Sequence, residues 1–382
     1  MYLRYKVAFF FAVLFICFGL IELLSYIYYK INTEQLHAAG IKAFLATDTT
    51  LTPAILNHDE LLGWKIQNKT LFGERPPAQS WPTSLLAAFG DSFTFGDEVD
   101  DTETWEEHLA GLVSRNVFNF GNNAYGPDQA YLRFLSDWPK VHTPIATLGL
   151  ISENIARVVN VYRRFYLTRA FTSTKPRFEL INGTLVFLPN PIPNPKDLFQ
   201  LKDPTFLDRL GQHDHWYKDR HQPEPSFPYS LLLVDQRFWI ETFNQYVNWK
   251  LWDDLATREL LLAILGRFCD EARRMGTTPL LFVFPTKYDL QYAYMYKKPP
   301  PFADHVRQVA TKQGALYFDG ITALVAQATA SGERRTLKAL HRQFHLSPKG
   351  NLCLAEALFE FLRRERPDLL LPLPVTRGLE RK

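Results

Sequence analysis

From Val7 to about Tyr29 the chain reads VAFFFAVLFICFGLIELLSYIYY, a continuous apolar run broken by one charge, Glu22. At roughly 1.5 Å of rise per residue, a helix of this length crosses a hydrocarbon core of about 30 Å, so residues 7–29 are predicted to span a membrane. The run ends in Leu, Ser, Tyr and Ile rather than in the small residues of a cleavage site, which favours an uncleaved anchor over a removed signal peptide. Arg4 and Lys6 precede the span and Lys30 follows it. That bias predicts a cytoplasmic stretch at 1–6 and an exported body facing the periplasm or cell exterior, anchored once in the inner (plasma) membrane. Glu22 is expected either to meet another membrane protein or to lie near enough to the outer interface to snorkel or stay protonated.

Residues 30–84 carry no sustained apolar period and are read as a stalk followed by a small packing element. From Leu85 the pattern becomes regular. Short apolar runs at 85–89, 116–120, 145–151, 279–284 and 315–319 predict strands. Between and after them, helical periods are read at about 102–114, 127–138, 253–275, 302–313, 321–330 and 347–364. In the first helix Trp105, Leu109 and Leu112 share a face, with Asp100, Asp101 or Thr102 as candidate caps. Strands alternating with helices predict a parallel sheet covered on both faces, with ligands held beyond the carboxyl ends of the strands. The rhythm is interrupted at about 156–250, a proline- and aromatic-rich stretch that either shapes a substrate site or packs on the stalk. The domain is therefore read as 85–365 with that insertion, followed by a tail at 366–382.

Composition narrows the classes. With 46% hydrophobic and 22% charged residues the chain has the makings of a packed globular body, and a net charge of +3 with scattered basic residues excludes a nucleic-acid-binding face. Cys17, Cys269 and Cys353 are too far apart for a disulfide framework or a zinc site. His213, His215 and His221 lack the partner spacing of a metal centre and are read as loop histidines, so no metal and no cofactor is expected.

Candidate chemistry sits at the predicted strand ends. Leu85–Phe89 delivers Ser92 into the turn Gly90-Asp91-Ser92-Phe93-Thr94-Phe95-Gly96, where a hydroxyl stands exposed beside free backbone N–H groups. The second strand runs into Gly121, the third into Ser152-Glu153-Asn154, and His345 precedes a helix start with Ser347 as N-cap and Pro348 at its first position.

In these residues the chain resembles the SGNH (GDSL-type) serine hydrolase superfamily, over about 85–155 and 279–364. The matching blocks are Ser92 in GDSFTFG, Gly121 in NFGNNAYGPDQ, Asn154 in SENIARVV and His345 in FHLSPKGN. The resemblance implies a three-layer α/β/α flavodoxin-like fold and ester chemistry, either hydrolysis or acyl transfer to a hydroxyl. In it Ser92 is the nucleophile and His345 the base, with Ser92, Gly121 and Asn154 as the oxyanion hole. The usual acid three residues before the histidine is replaced by Arg342. Three readings stay open: another acid substitutes, with Asp319 first and Asp289 second; a backbone carbonyl holds the ring; or the site is catalytically weak. The expected function is that of a membrane-anchored esterase or O-acyl(acetyl)transferase acting on a cell-envelope glycan, with a multispanning membrane acyltransferase as an expected partner. The alternative is a non-catalytic carbohydrate-binding or scaffold subunit of a membrane assembly.

Overall fold

A computed structural model describes residues 2–32, 57–167, 172–217, 225–235, 238, 244–330 and 334–370. Residues 33–56 of the expected stalk and packing segment, His221 and the last twelve residues of the tail lie outside them. The chain divides into two compact units: residues 1–65 with 155–179 and 186–258, and residues 66–154 with 180–185 and 259–382. The 156–250 stretch thus groups largely with the N-terminal segment rather than with the sheet.

In the first unit, helix α1 (Tyr2–Ile31) contains the stretch Arg4–Ile31, whose most apolar 18 residues have a mean hydropathy of 2.7, long and apolar enough to cross a membrane. The aromatic-rich stretch makes a core of its own, in which Tyr162, Phe165, Tyr166 and Trp216 are fully buried. Asp214 organises it, accepting hydrogen bonds from the Val161, Tyr162 and Trp216 N–H groups and from Asn160 Nδ2. Burial pushes its carboxyl up to about 6 against those donors. Asp214 and Trp216 of the HDHW sequence are therefore packing residues, and His213 and His215 are exposed. His213 lies 3.1 Å from Glu179, and no group of three metal-ligating side chains is found among the described residues.

The second unit is built on five parallel strands, β1 (Ser84–Gly90), β2 (Asn116–Gly121), β3 (Ile145–Leu150), β4 (Thr278–Val283) and β5 (Leu316–Asp319), in the order β2-β1-β3-β4-β5. Leu85–Phe89 is fully buried, as a strand covered on both faces must be, and each large apolar side chain there contributes roughly 2 kcal/mol. After β1 comes the short helix α2 (Ser92–Phe95), then α3 (Trp105–Val113), which leads outward to β2; α4 (Pro127–Val141) returns past β1 to β3. Right-handed crossovers in opposite directions place α3 and α4 on opposite faces. With α4 lies α5 (Leu255–Arg274), Phe134 meeting Phe268 edge-on at 4.9 Å. Helix α6 (Lys287–Tyr296) follows β4, and α7 (Pro301–Lys312) packs on β4 and β5. After β5 come α8 (Gly320–Ala330), α9 (Arg334–Ala339) and α10 (Pro348–Glu365), with α10 packed on both α3 and α8. This is the three-layer α/β/α arrangement with flavodoxin-like strand order.

Three local expectations change. Helix α3 begins later than the pattern suggests, because Thr104, rather than Asp100, Asp101 or Thr102, caps it by accepting from the Glu107 N–H at 3.3 Å. Trp105 and Leu109 are buried, but Leu112 is exposed. Helix α6 was not legible, since KYDLQYAYMY spreads tyrosines around the helix; it starts at a capping box between Thr286 and Asp289.

Candidate active site

The strand order reverses at β1, which leaves a crevice beyond the carboxyl ends of β1 and β3. Ser92 follows β1 there, and Asn154 follows β3 by a few residues. Asp91 caps α2, its Oδ1 accepting from the Phe93 N–H at 2.9 Å, and Gly96 ends the turn at φ 79°. From the far end of the chain, His345 enters ahead of α10, whose N-cap Ser347 accepts from the Gly350 N–H at 3.1 Å. The imidazole Nε2 lies 2.9 Å from Ser92 Oγ. With the Nδ1 proton facing away from the serine, Nε2 is positioned to take the hydroxyl proton.

Behind the ring stands Glu98, which the sequence reading missed. Its Oε1 lies 3.5 Å from His345 Nδ1, while Oε2 accepts from the backbone N–H groups of Phe344 (3.2 Å) and His345 (3.3 Å). Burial pushes the Glu98 carboxyl up, but those N–H groups and the imidazole outweigh it and hold it below the ordinary value. A depressed carboxyl keeps its charge above the ordinary value of 4.5 and loses it only as pH falls through the lowered one, so this clamp persists at neutral pH. Glu98 has φ 69°, a left-handed conformation that costs a non-glycine residue about 1–3 kcal/mol and that clusters at functional sites. The one available signal was the acidic pair Asp97-Glu98 directly behind the nucleophile turn.

Asp319 does not serve His345. Its carboxylate caps α8, accepting from the Ile321 and Thr322 N–H groups at 3.0 Å and from Thr322 Oγ1 at 2.6 Å. Asp289 is likewise held in its capping box and by Ser152 Oγ at 3.2 Å. Both sit at local helix starts, where an acid is drawn to the unsatisfied N–H groups. Arg342 turns to Glu103 at 3.9 Å.

Glu98 is held in place by Arg75, from the segment read as stalk and packing element. Its guanidinium donates to the carbonyls of Phe95 (2.6 Å), Gly96 (2.7 Å) and Val99 (2.7 Å) and pairs with Asp101 at 2.7 Å. Arg75 thus fixes the loop between Ser92 and Glu98.

The oxyanion side differs from expectation at one residue. The Gly121 N–H is taken by Asn119 Oδ1 at 2.9 Å, so it is not available to substrate in this arrangement. Gly121 is needed for space instead, since a Cβ there would lie 2.2 Å from the Phe95 nitrogen, against the backbone of α2. Gly121→Ala should therefore displace α2 and destabilise the domain by about 1–3 kcal/mol; a melting temperature equal to wild type would refute this. Three residues on, Ala124 adopts φ 62°, and its N–H has no acceptor among the described residues; the same holds for the Ser92 N–H. Asn154 is anchored by Oδ1 to the Ile151 N–H (2.8 Å) and donates one Nδ2 hydrogen to Asp91 Oδ2 (3.0 Å), which leaves the other hydrogen for a ligand.

Next to the histidine loop is a cavity of about 680 Å³, whose lining includes Lys287, Gln291, Tyr294, Lys338, His341 and Arg342 and, among the described residues, no carboxylate. His341 Nε2 lies 3.0 Å from the Pro285 carbonyl and must donate to it. Burial, chiefly, pushes the His341 pKa down to about 4. The unfolded chain binds this proton near 6.5 and the folded chain only near 4, so stability should fall between those pH values by up to about 3 kcal/mol. Denaturant titrations at pH 7 and pH 4.5 check this, with His341→Gln expected to flatten the dependence.

No family model matches the sequence, and no curated protein does. Among solved structures, the chain is similar to a lipolytic protein of the G-D-S-L family from Desulfitobacterium hafniense DCB-2, with TM-score 0.34 and 13% identity over 73% of this chain and 99% of that one. It is also similar to an acetylxylan esterase from Geobacillus stearothermophilus, in a catalytic mutant, with TM-score 0.38 and 13% identity over 75% and 94% of the two chains. The psychrotrophic esterase EstA from Pseudoalteromonas sp. gives TM-score 0.33 and 9% identity over 73% and 97%.

Proposed function

We propose that this protein is a membrane-anchored serine esterase or O-acyltransferase that works through an acyl-Ser92 intermediate on an ester of a cell-envelope glycan. The observation that carries the reading is Ser92 Oγ 2.9 Å from His345 Nε2, with Glu98 behind Nδ1. Ser92 Oγ attacks the ester carbonyl while its proton passes to Nε2, and Glu98 balances the imidazolium. The oxyanion is met by the Ser92 and Ala124 N–H groups and the second hydrogen of Asn154 Nδ2. Such aimed donors are each worth about two to three powers of ten in rate. His345 then returns the proton to the departing alkoxide, and a water or an acceptor hydroxyl repeats the sequence to release the acyl group.

The glycan assignment is supported by the adjacent cavity. Tyr294, Gln291 and Gln343 offer hydroxyl partners, and Lys287, Lys338 and Arg342 favour a saccharide that carries negative charge. Anchoring through residues 7–29 and export of the body are supported by the length of α1 and by Arg4 and Lys6. In this reading a multispanning acyltransferase is a natural acyl donor. The non-catalytic alternative rested on Arg342; Glu98, 3.5 Å from His345 Nδ1, supports the catalytic reading over it.

The test is product analysis with an acetylated oligosaccharide, with and without an unacetylated acceptor. Free acetate alone identifies an esterase, and acetylated acceptor a transferase. Neither product from a folded protein that also fails to react with a fluorophosphonate would sink the reading.

A further inference from the structure

Glu22, the single charge of the apolar run, is buried within the first unit by contact with a distant part of the chain. Its Oε2 accepts from the Tyr229 N–H at 2.6 Å and its Oε1 from the Ser230 N–H at 3.0 Å. Those N–H groups open a 3-10 helix, Tyr229–Val234, that starts at Pro228 and has no side-chain cap of its own. A carboxylate in a membrane and uncapped helix N–H groups in a membrane are each costly, and here each satisfies the other. The contact is extended by aromatic rings: Tyr229 lies edge-on to Tyr26 at 5.1 Å and stacks on Tyr29 at 5.6 Å, and Leu232 is buried.

The outer side of this short helix is apolar and uncovered. Phe227 is 70% exposed, Leu231 62% and Val234 81%, as Ile21, Leu24 and Ile27 are on α1, the helix this segment packs against. If the hydrocarbon core begins at Val7, about 30 Å of helix ends near residue 27, so Glu22 lies roughly 7 Å inside the outer boundary. The segment docked on it must reach the same depth. We infer that residues 227–234 form a second membrane contact, an interfacial wedge seated in the outer leaflet against α1, with Phe227, Leu231 and Val234 facing lipid. The occupant of that apolar face is the bilayer, because the segment that carries it is held against the spanning helix at the depth of Glu22, beside Tyr26, Tyr29 and Tyr229, residues typical of the interface. This inference rests on α1 being a retained anchor. It gives Glu22 a partner within the chain instead of in another membrane protein.

The test uses the full chain in liposomes, with single cysteines at Leu231 or Val234 in a background without the native cysteines, each carrying an environment-sensitive fluorophore. A label at Leu24 reports whether α1 is in the bilayer. The expected result is quenching of the 231 and 234 labels by doxyl lipids matching that at 24, with iodide several-fold less effective, and a several-fold loss of lipid quenching at 234 on Glu22→Leu. Quenching by iodide at 231 and 234 with lipid quenching at 24 would overturn the wedge and leave the anchor intact. Protection from both quenchers would overturn it in favour of a protein partner. Loss of lipid quenching at 24 would overturn the anchor reading and the wedge with it.

Discussion

Ser92→Ala is expected to lower ester turnover by about 10⁴-fold or more, equivalent to roughly 5 kcal/mol of transition-state stabilisation, and to abolish reaction with a fluorophosphonate. The size follows from covalency. Removing Oγ deletes the attacking atom, and His345 then has no nucleophile to activate except a water that nothing positions. The fold should survive, because the side chain of Ser92 bonds only to His345 among the described residues, whereas the cap of α2 is made by Asp91. Turnover by the purified variant, read beside its melting temperature, checks both halves. Equal rates for variant and wild type would end the assignment of Ser92 as nucleophile.

Glu98→Gln should be the next most damaging change, lowering kcat by about 10²–10³-fold with a smaller change in KM. Gln retains an acceptor for the Phe344 and His345 N–H groups but removes the charge facing Nδ1, so the loss reports compensation of the imidazolium rather than loop placement. The effect is set below that of a buried catalytic acid for two reasons. Glu98 is partly exposed at 3.5 Å from the ring, and the half-buried Asp97 also feels the charge of His345. Asp319→Asn is the matching control: it should weaken the α8 cap by about 1 kcal/mol without a comparable loss of turnover. A severe loss in Asp319→Asn with full activity in Glu98→Gln would reverse the assignment.

Arg75 accounts for part of that expectation. A loop that holds an acid in a left-handed conformation needs fixed carbonyls on its other side, and the guanidinium supplies them at Phe95, Gly96 and Val99. Arg75 could not be read as part of the site, because nothing in ERPPAQSWP distinguishes a buried, multiply bonded arginine from a solvated one. Likewise Gly121 is expected from its motif as an oxyanion donor, but its backbone N–H is bound by the Asn119 side chain and its missing Cβ is what matters.

By itself the sequence determined whatever depends on neighbours along the chain. Continuous apolar runs at 85–89 and 279–284 can satisfy themselves only as strands covered on both faces, and the helical periods between them dictate a parallel sheet. The turn around Ser92 and the capped start of α10 after His345 are equally local, so Ser92 and His345 were legible as candidates, and the fold brings them to 2.9 Å. Tertiary structure alone decided which acid stands behind His345, what Glu22 touches, and which N–H groups of the second turn remain unbound. Glu98 and Phe344 are 246 residues apart, and Glu22 and Tyr229 207 apart. Local pattern fixes an acid's chemistry but not its distance to a partner, and an electrostatic role is set by that distance together with the competing N–H groups each acid meets.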